Sequence, residues 1–173
     1  MGQLLHCNCP SLHTLTIGCD NDTSLEISTI HLQIDRFPLL RALHLDGIWP
    51  DFSEPPASVN ELVFSCGPRE DWPLRLHLVQ SCHLIQRLTI DLKWCFSPGL
   101  IPFPATKLPS LIYLEFRGIR ELTADSISPF LGCCDVPNLE SLVIRSGLLT
   151  AGMGESLCQS MVRSRSRSYH ARF

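Results

Sequence analysis

The chain has 173 residues, of which 45% are hydrophobic and 18% are charged, and its formal net charge is −3. This composition is that of a folded globular protein and excludes an intrinsically disordered chain. No apolar run approaches the ~20 residues that a membrane helix requires, and the N-terminal MGQLLHCNCPS has neither the basic start nor the long apolar stretch of a signal peptide. We therefore expect a cytoplasmic or nuclear protein with no membrane partner.

The nine cysteines are odd in number, and without a signal peptide we expect reduced thiols. One cluster, in LHCNCPSLHTLTIGC, contains several residue types that bind metals: His6, Cys7, Cys9, His13 and Cys19. However, Cys7 and Cys9 are closer together than the cysteines of zinc knuckles, and no second Cys or His pair follows at zinc-finger distance. We therefore predict no metal and no other cofactor, and we interpret Cys9 as a small buried hydrophobic residue.

A six-residue pattern, L-x-x-L-x-L with any aliphatic residue or Phe at each L, occurs six times. On a short strand the fourth and sixth residues of the pattern point inward, while the residues between them point outward. Such hexamers at intervals of about 20 to 29 residues are typical of leucine-rich repeats, whose parallel strands stack side by side. The copies begin at 12, 40, 59, 85, 111 and 139, with the shortest interval from 40 to 59, and read LHTLTI, LRALHL, VNELVF, IQRLTI, LIYLEF and LESLVI.

The segments between hexamers must carry the chain back to the start of the next strand. The first, TSLEISTIHLQIDRF at 23–37, alternates like a strand in its second half but also fits one face of a helix, and we favour the helix. The next, IWPDFSEPPAS at 48–58, is short and contains three prolines, which predicts an extended or turn-like return. Helices are predicted within PLRLHLVQSC at 73–82, LTADSISPFLGCCDVPN at 122–138 and GMGESLCQSMVRSR at 152–165.

These elements predict an α/β fold of a particular kind. We expect a leucine-rich-repeat solenoid with about six short parallel strands on a concave sheet and irregular or helical crossovers on the convex side. The array would span residues 1–162 and be followed by a basic C-terminal tail at 163–173. The tail has four arginines and no acid, so the preceding residues carry −3 minus 4, or −7.

Two lead-in and strand segments, LPSLIYLEF and VPNLESLVI, with the following LLTAGMGESLCQSMVRSRSRS, resemble the leucine-rich-repeat region of F-box proteins, especially the irregular arrays of fungal type. The resemblance covers residues 4–168. It implies that the chain is the substrate-recognition part of an SCF-type ubiquitin ligase. No F-box is visible, so the resemblance implies a Skp-type adaptor as a partner only if an F-box lies outside this chain.

The outward residues of the strands occupy the third, fifth and seventh positions of each repeat and would line the concave face. Acids cluster in the middle strands and arginines in the last two, a mixed surface that suits a protein or peptide partner. Tyr113 and Arg117 form the best anchor pair, because Tyr and Arg dominate binding hot spots. The alternative is an ordinary solvated strand face. The predicted partner-binding residues are His44, Asp46, Glu61, Arg87, Asp91, Tyr113, Glu115, Arg117 and Arg145.

The chain carries no nucleophile elbow, no phosphate-binding loop and no dinucleotide-binding motif, so we predict a protein that is not an enzyme and has no catalytic residues. The Arg-Ser steps of VRSRSRSYHARF are few, and we interpret them as a solvated cap near the negative end of the outer helix. Nucleic acid is not expected as a partner, given the acidic body. Two alternatives remain: a truncated structural or scaffold fragment without a specific ligand, and weak RNA binding through the tail.

Overall fold

The computed structural model describes residues 9–18, 31–46, 50–52, 56–65, 79–92, 105–119, 132, 134–146 and 169–171. Every strand pairing in these residues is parallel. A 3-10 helix spans Ile34–Arg36, and residues 79–81 are helical. The described chain is therefore mostly parallel sheet with few helices, of the α/β type. Its strands are β1 (Thr14–Gly18), β2 (His31–Leu32), β3 (Ala42–Asp46), β4 (Asp51–Phe52), β5 (Glu61–Ser65), β6 (Arg87–Asp91), β7 (Thr106–Lys107), β8 (Tyr113–Ile119), β9 (Cys134–Asp135), β10 (Ser141–Ser146) and β11 (Tyr169–Ala171).

The main sheet has seven strands in the order β1-β3-β5-β6-β8-β10-β11. Its first six strands each begin at the third residue of one hexamer, so that equivalent positions of neighbouring repeats pair in register. The hexamers form strands because their apolar residues alternate, which leaves one sheet face entirely apolar. We call the row of fourth-position leucines the leucine column: Leu15, Leu43, Leu62, Leu88, Leu114 and Leu142, of which all but Leu15 are buried.

The hydrophobic core lies between this apolar face and the segments that connect the strands. These segments contribute Leu32, Phe37, Val79, Leu108 and Val136 to one buried cluster with the leucine column. Two small parallel pairings, β2 with β4 and β7 with β9, tie neighbouring connections together. The connections therefore form a second layer that closes the core.

The described parts of the connections are more extended than the sequence indicated. The helix favoured for 23–37 is not found where the structure describes this segment, since His31–Leu32 is a strand and Ile34–Arg36 a single 3-10 turn. The segment is extended because β2 pairs with β4. A helix pattern read from the local sequence does not detect a pairing with a distant segment. The extended return predicted for 48–58 is a strand at Asp51–Phe52 and a turn at 57–58. Within 73–82 the structure describes residues 79–82, of which 79–81 are helical. Of the helix predicted within 122–138 only its end at Gly132 is described and helical, and the helix predicted at 152–165 lies wholly outside the described residues.

Each of the six hexamers is preceded by the same backbone turn. The N–H of its first residue donates to the carbonyl three residues earlier, with N···O distances of 2.9–3.2 Å. The accepting residues are the lead-ins. Cys9, in the first of them, packs against the core but is only partly buried, less than the interpretation as a buried hydrophobic residue predicts. The lead-in residues are Cys9, Phe37, Pro56, Cys82, Leu108 and Val136.

A second repeated feature links each repeat to the next. The carbonyl immediately before a strand accepts two N–H donors, from the second and third hexamer positions of the following repeat, at 2.8–3.0 Å. Bifurcated acceptance of this kind fixes where the next strand begins. We call these acceptors the carbonyl row: His13, Arg41, Asn60, Gln86 and Ile112.

The described part of the C-terminal tail is a strand, whereas the Arg-Ser steps at 163–168, interpreted as a solvated cap, lie outside the described residues. Tyr169–Ala171 forms β11, which pairs in parallel with β10 and extends the main sheet by one strand. No hexamer marks this strand, so a search based on the repeat has no means of finding it. Among the described residues there is also no helix with the length and apolarity needed to cross a membrane.

Candidate functional site: a charged cluster on the polar face

The face of the main sheet opposite the leucine column carries the outward positions of the repeats. Side chains in register on parallel strands point to the same side of a sheet, so each outward position forms a row across the strands. We call this side the polar face. One row contains Glu61, Arg87 and Tyr113, and the next row contains Thr89, Glu115 and Val143.

Glu115, in the middle of β8, is the centre of a charged cluster. It is only 1% exposed. Tyr113 Oη donates a hydrogen bond of 2.9 Å to Glu115 Oε2, and Arg117 Nη2 donates one of 2.8 Å to the same oxygen. Arg145 Nε lies 2.6 Å from Oε1, a close ion pair, although the contact does not have hydrogen-bond geometry. We call Arg87, Tyr113, Glu115, Arg117 and Arg145 the Glu115 cluster.

A bulge at the end of β8 lies beside two of the three arginines of this cluster, Arg117 and Arg145. The register of β8 with β10 shifts after Phe116, where Ile144 is opposite, so that Ser146 is opposite Ile119. Gly118 has a φ of 74° within this bulge, a left-handed conformation that favours glycine. The bulge thus lies beside Arg117 on β8 and Arg145 on β10, the two cations that meet at one carboxylate.

The electrostatics of the cluster favour an ionised Glu115. Burial tends to raise the pKa of this carboxyl, but the hydrogen bonds from Arg117 and Tyr113 and the charges of Arg117 and Arg145 outweigh burial and hold the pKa below its ordinary value. The pKa of Tyr113 is raised, first by burial and then by the Glu115 carboxylate. Hydrogen bonding to Glu115 raises the pKa of Arg117. At neutral pH the cluster therefore holds one carboxylate, a neutral phenol and three guanidinium ions.

Further contacts continue the cluster toward β3. The guanidinium carbon of Arg87 lies 4.3 Å from the centre of the Tyr113 ring, a cation–π contact. Arg87 Nε is 3.9 Å from a carboxylate oxygen of Glu61, whose other oxygen is 3.8 Å from His44 Nε2. Polar contacts therefore run without a break from β3 to β10 across the polar face.

The third row of the face is also polar. Ser65 Oγ donates to Asp46 Oδ1, which joins β5 to β3. Asp91 on β6 is in register with Arg117 on β8, and the charge of Asp91 helps to raise the pKa of Arg117. The seventh positions thus contribute acids on β3 and β6 and cations on β8 and β10.

All nine residues predicted to bind a partner lie on the strands of the main sheet, in its outward positions. The two predicted anchor residues, Tyr113 and Arg117, both donate hydrogen bonds to the Glu115 carboxylate between them. Sequence reasoning named Glu115 without its central role. The sequence did contain a signal. Glu115 lies between Tyr113 and Arg117 on one strand, and the next repeat has Arg145 at the position equivalent to Arg117.

Side chains of the types that bind metals, and thiols, both occur among the described residues. No three His, Cys, Asp or Glu side chains in this part of the chain are grouped to hold a metal ion, whereas His6, Cys7 and Cys19 fall outside it. Burial raises the pKa of Cys82 to about 12, so that this thiol stays protonated and packs as a small hydrophobic side chain. The polar face presents a set of guanidinium, phenol and carboxylate groups.

Comparison of the chain with known protein families, with curated proteins and with solved structures returns no match. The Glu115 cluster therefore has to be interpreted from its own geometry.

Proposed function

We propose that the protein is a non-enzymatic recognition module, a leucine-rich-repeat solenoid whose polar face binds a protein partner around the Glu115 cluster. The solenoid is supported by the six equivalent turns, the leucine column and the carbonyl row, which repeat one arrangement along the chain. Stacked units of this kind present one extended strand face.

The observation that carries the binding proposal is the identity of the residue at position 115. The equivalent fifth position is valine in β5, threonine in β6 and valine in β10, so stacking of the repeats does not require a charge there. Burial of a carboxylate costs desolvation free energy, and here three partner side chains keep Glu115 ionised in spite of that cost. A group that the fold does not need, held ionised beneath two half-exposed guanidiniums, is better explained by recognition.

The neighbours of Glu115 have the composition of a binding hot spot. Tyr and Arg are enriched among the residues that dominate protein interfaces. Here the Tyr113 ring lies against Arg87 and its hydroxyl is held by Glu115, which restricts both side chains before any partner arrives. Side chains ordered in advance lose less entropy on binding, and this raises affinity.

The test is affinity capture from cell lysate with wild-type protein, with the double variant Arg87→Ala/Tyr113→Ala, and with a control, Thr14→Ala/Thr16→Ala. The control lies on β1, at the other end of the same face. Circular dichroism first checks that all three fold. We expect proteins that the wild type and the control retain and the double variant loses. Identical captures by all three would reject the polar face around the Glu115 cluster as the recognition surface.

A narrower proposal, that the chain is the substrate-recognition part of a ubiquitin ligase, has its support in the resemblance to F-box proteins alone. Its test is direct mixing with a purified Skp-type adaptor, followed by size-exclusion chromatography. Co-elution would support an adaptor-binding segment within the chain. Separate elution at micromolar concentrations would reject direct adaptor binding by this chain and leave the recognition proposal standing.

A further inference from the structure

The polar face carries opposite charges at its two ends. At the β8-β10 end of the row of seventh positions, Arg117 and Arg145 surround the single carboxylate of Glu115. At the β3 end of the same row, Asp46 contributes a carboxylate. Asp91 on β6 lies between them, in register with Arg117. A ligand that crosses these strands therefore meets acidic groups first and basic groups last.

The cationic end retains capacity for an incoming carboxylate. The side chains of Arg117 and Arg145 are 45% and 56% exposed, although both pair with Glu115. A guanidinium has five N–H donors, and the Glu115 contacts engage Nη2 of Arg117 and Nε of Arg145. Glu115 holds the two guanidiniums on one site, and the remaining donors match the two oxygens of a second carboxylate.

Strand geometry sets the distance between the ends. Counting along the sheet order, β3, which carries Asp46, is three strands from β8, which carries Arg117. Three strand spacings amount to about 14 Å, which about four residues of an extended peptide cover at ~3.3 Å per residue. An acid and a base about four residues apart in a peptide would therefore reach the two ends together.

From this charge pattern we infer that the polar face binds an extended peptide segment of a partner protein, with an acidic side chain on Arg117 and Arg145 and a basic side chain, about four residues away, on Asp46. This inference rests on the proposed recognition function and names its ligand. A nucleic acid fits poorly, because its continuous row of phosphates would be set against Asp46, Glu61 and Asp91.

Selection from a display library of random peptides, with the whole chain as bait, tests the inference. Wild-type protein should enrich peptides with an acid and a base about four positions apart. The variant Arg145→Gln should lose the preference for the acid, and Asp46→Asn the preference for the base; the Asn side chain keeps an oxygen that can accept from Ser65 Oγ. Arg41→Gln is the matched control, since it removes a similar charge from a residue just before β3 whose side chain bonds the Ser58 carbonyl.

Affinity measurements on the most enriched peptide complete the test. Arg145→Gln should weaken binding about fivefold, as expected for loss of one partly exposed ion pair, and added salt should weaken wild-type binding to a similar level. Arg41→Gln should bind like the wild type. Circular dichroism checks that every variant folds.

The outcomes separate the inference from the function on which it rests. Enrichment of peptides without the paired charges, or with charges that no variant alters, overturns the inference and leaves recognition by the polar face intact. Failure to enrich any peptide above an empty support, together with identical lysate captures by the wild type and the Arg87→Ala/Tyr113→Ala variant, overturns both.

Discussion

The two faces of the main sheet follow different rules. On the core face, the fourth residue of each hexamer is leucine, and these leucines are all buried from β3 to β10. On the polar face, the equivalent rows change residue type from strand to strand, as in the row of Val63, Thr89, Glu115 and Val143. The core face thus repeats one residue type at equivalent positions of the strands, whereas the polar face carries different residue types at equivalent positions. The difference teaches that an unmatched residue within a repeat is where a specific role should be sought.

The largest effect should come from breaking the repetition itself. Leu88→Ala, in the middle of the leucine column, should lower the free energy of unfolding by about 2 to 5 kcal/mol, because it removes buried methyl groups and leaves a cavity. Urea denaturation of Leu88→Ala and of the surface control Thr16→Ala measures the difference. A loss at Leu88 no larger than that at Thr16 would contradict the stacked arrangement.

Replacing Glu115, the charged residue in an otherwise uncharged part of its row, should lower the free energy of unfolding much less. Glu115→Val introduces the residue found at the equivalent positions of β5 and β10, and the freed guanidiniums, about half exposed, regain water. We expect the free energy of unfolding to change by at most about 1 kcal/mol. The same variant should lose the captured partner. Destabilisation as large as that of Leu88→Ala would show that Glu115 serves the fold rather than recognition.

A smaller effect is expected where one repeat is bonded to the next through a side chain. Asn138 Nδ2 donates 2.7 Å to the Pro109 carbonyl of the preceding repeat, and Asn138 is exposed. Asn138→Ala should cost about 0.5 kcal/mol, at the low end for a hydrogen bond, because water can replace the amide. Ser110→Ala, which removes the equivalent bond to the His83 carbonyl, should cost a similar amount by the same denaturation measurement. Loss of cooperative unfolding in either variant would contradict this ranking.

The smallest effect is expected from pH, because one carboxylate with half-exposed partners titrates. The folded-state pKa of Glu115 lies below the ordinary 4.5, so its contribution to stability is complete above pH 4.5 and is lost as the pH falls from there through the folded-state pKa. As the pH is lowered from about 6 to about 3, the free energy of unfolding should therefore fall more steeply for the wild type than for Glu115→Gln. Parallel curves would contradict the ionised state of Glu115.

The strands were predictable because they depend on alternation, which a single chain displays directly. Each of the six hexamers contains one strand beginning at its third residue, and the outward positions that follow from this include all nine predicted binding residues. The connections were less predictable. Leu32 and Phe52 belong to short strands that exist through their pairing with each other, a contact between two separate connecting segments that no local pattern reveals.

The central role of Glu115 also depends on long-range geometry. Alternation places Glu115 outward, yet its burial arises from three side chains that close over it, one of them on β10 in the next repeat. Position on a face is thus encoded locally, whereas burial on that face depends on how neighbouring repeats are aligned. Tyr113 and Arg117 could be chosen from composition, but the carboxylate that joins them required the structure.

The carbonyl row bears on how such a chain tolerates changes in length. The interval between the second and third hexamers, which begin at 40 and 59, is clearly shorter than the other four, yet every strand begins at the same hexamer position. Because each carbonyl receives the next strand through two N–H donors, alignment is set anew at every repeat, and a length difference stays in the connecting loop. Insertions and deletions between hexamers can therefore accumulate during evolution without displacing the residues of the polar face.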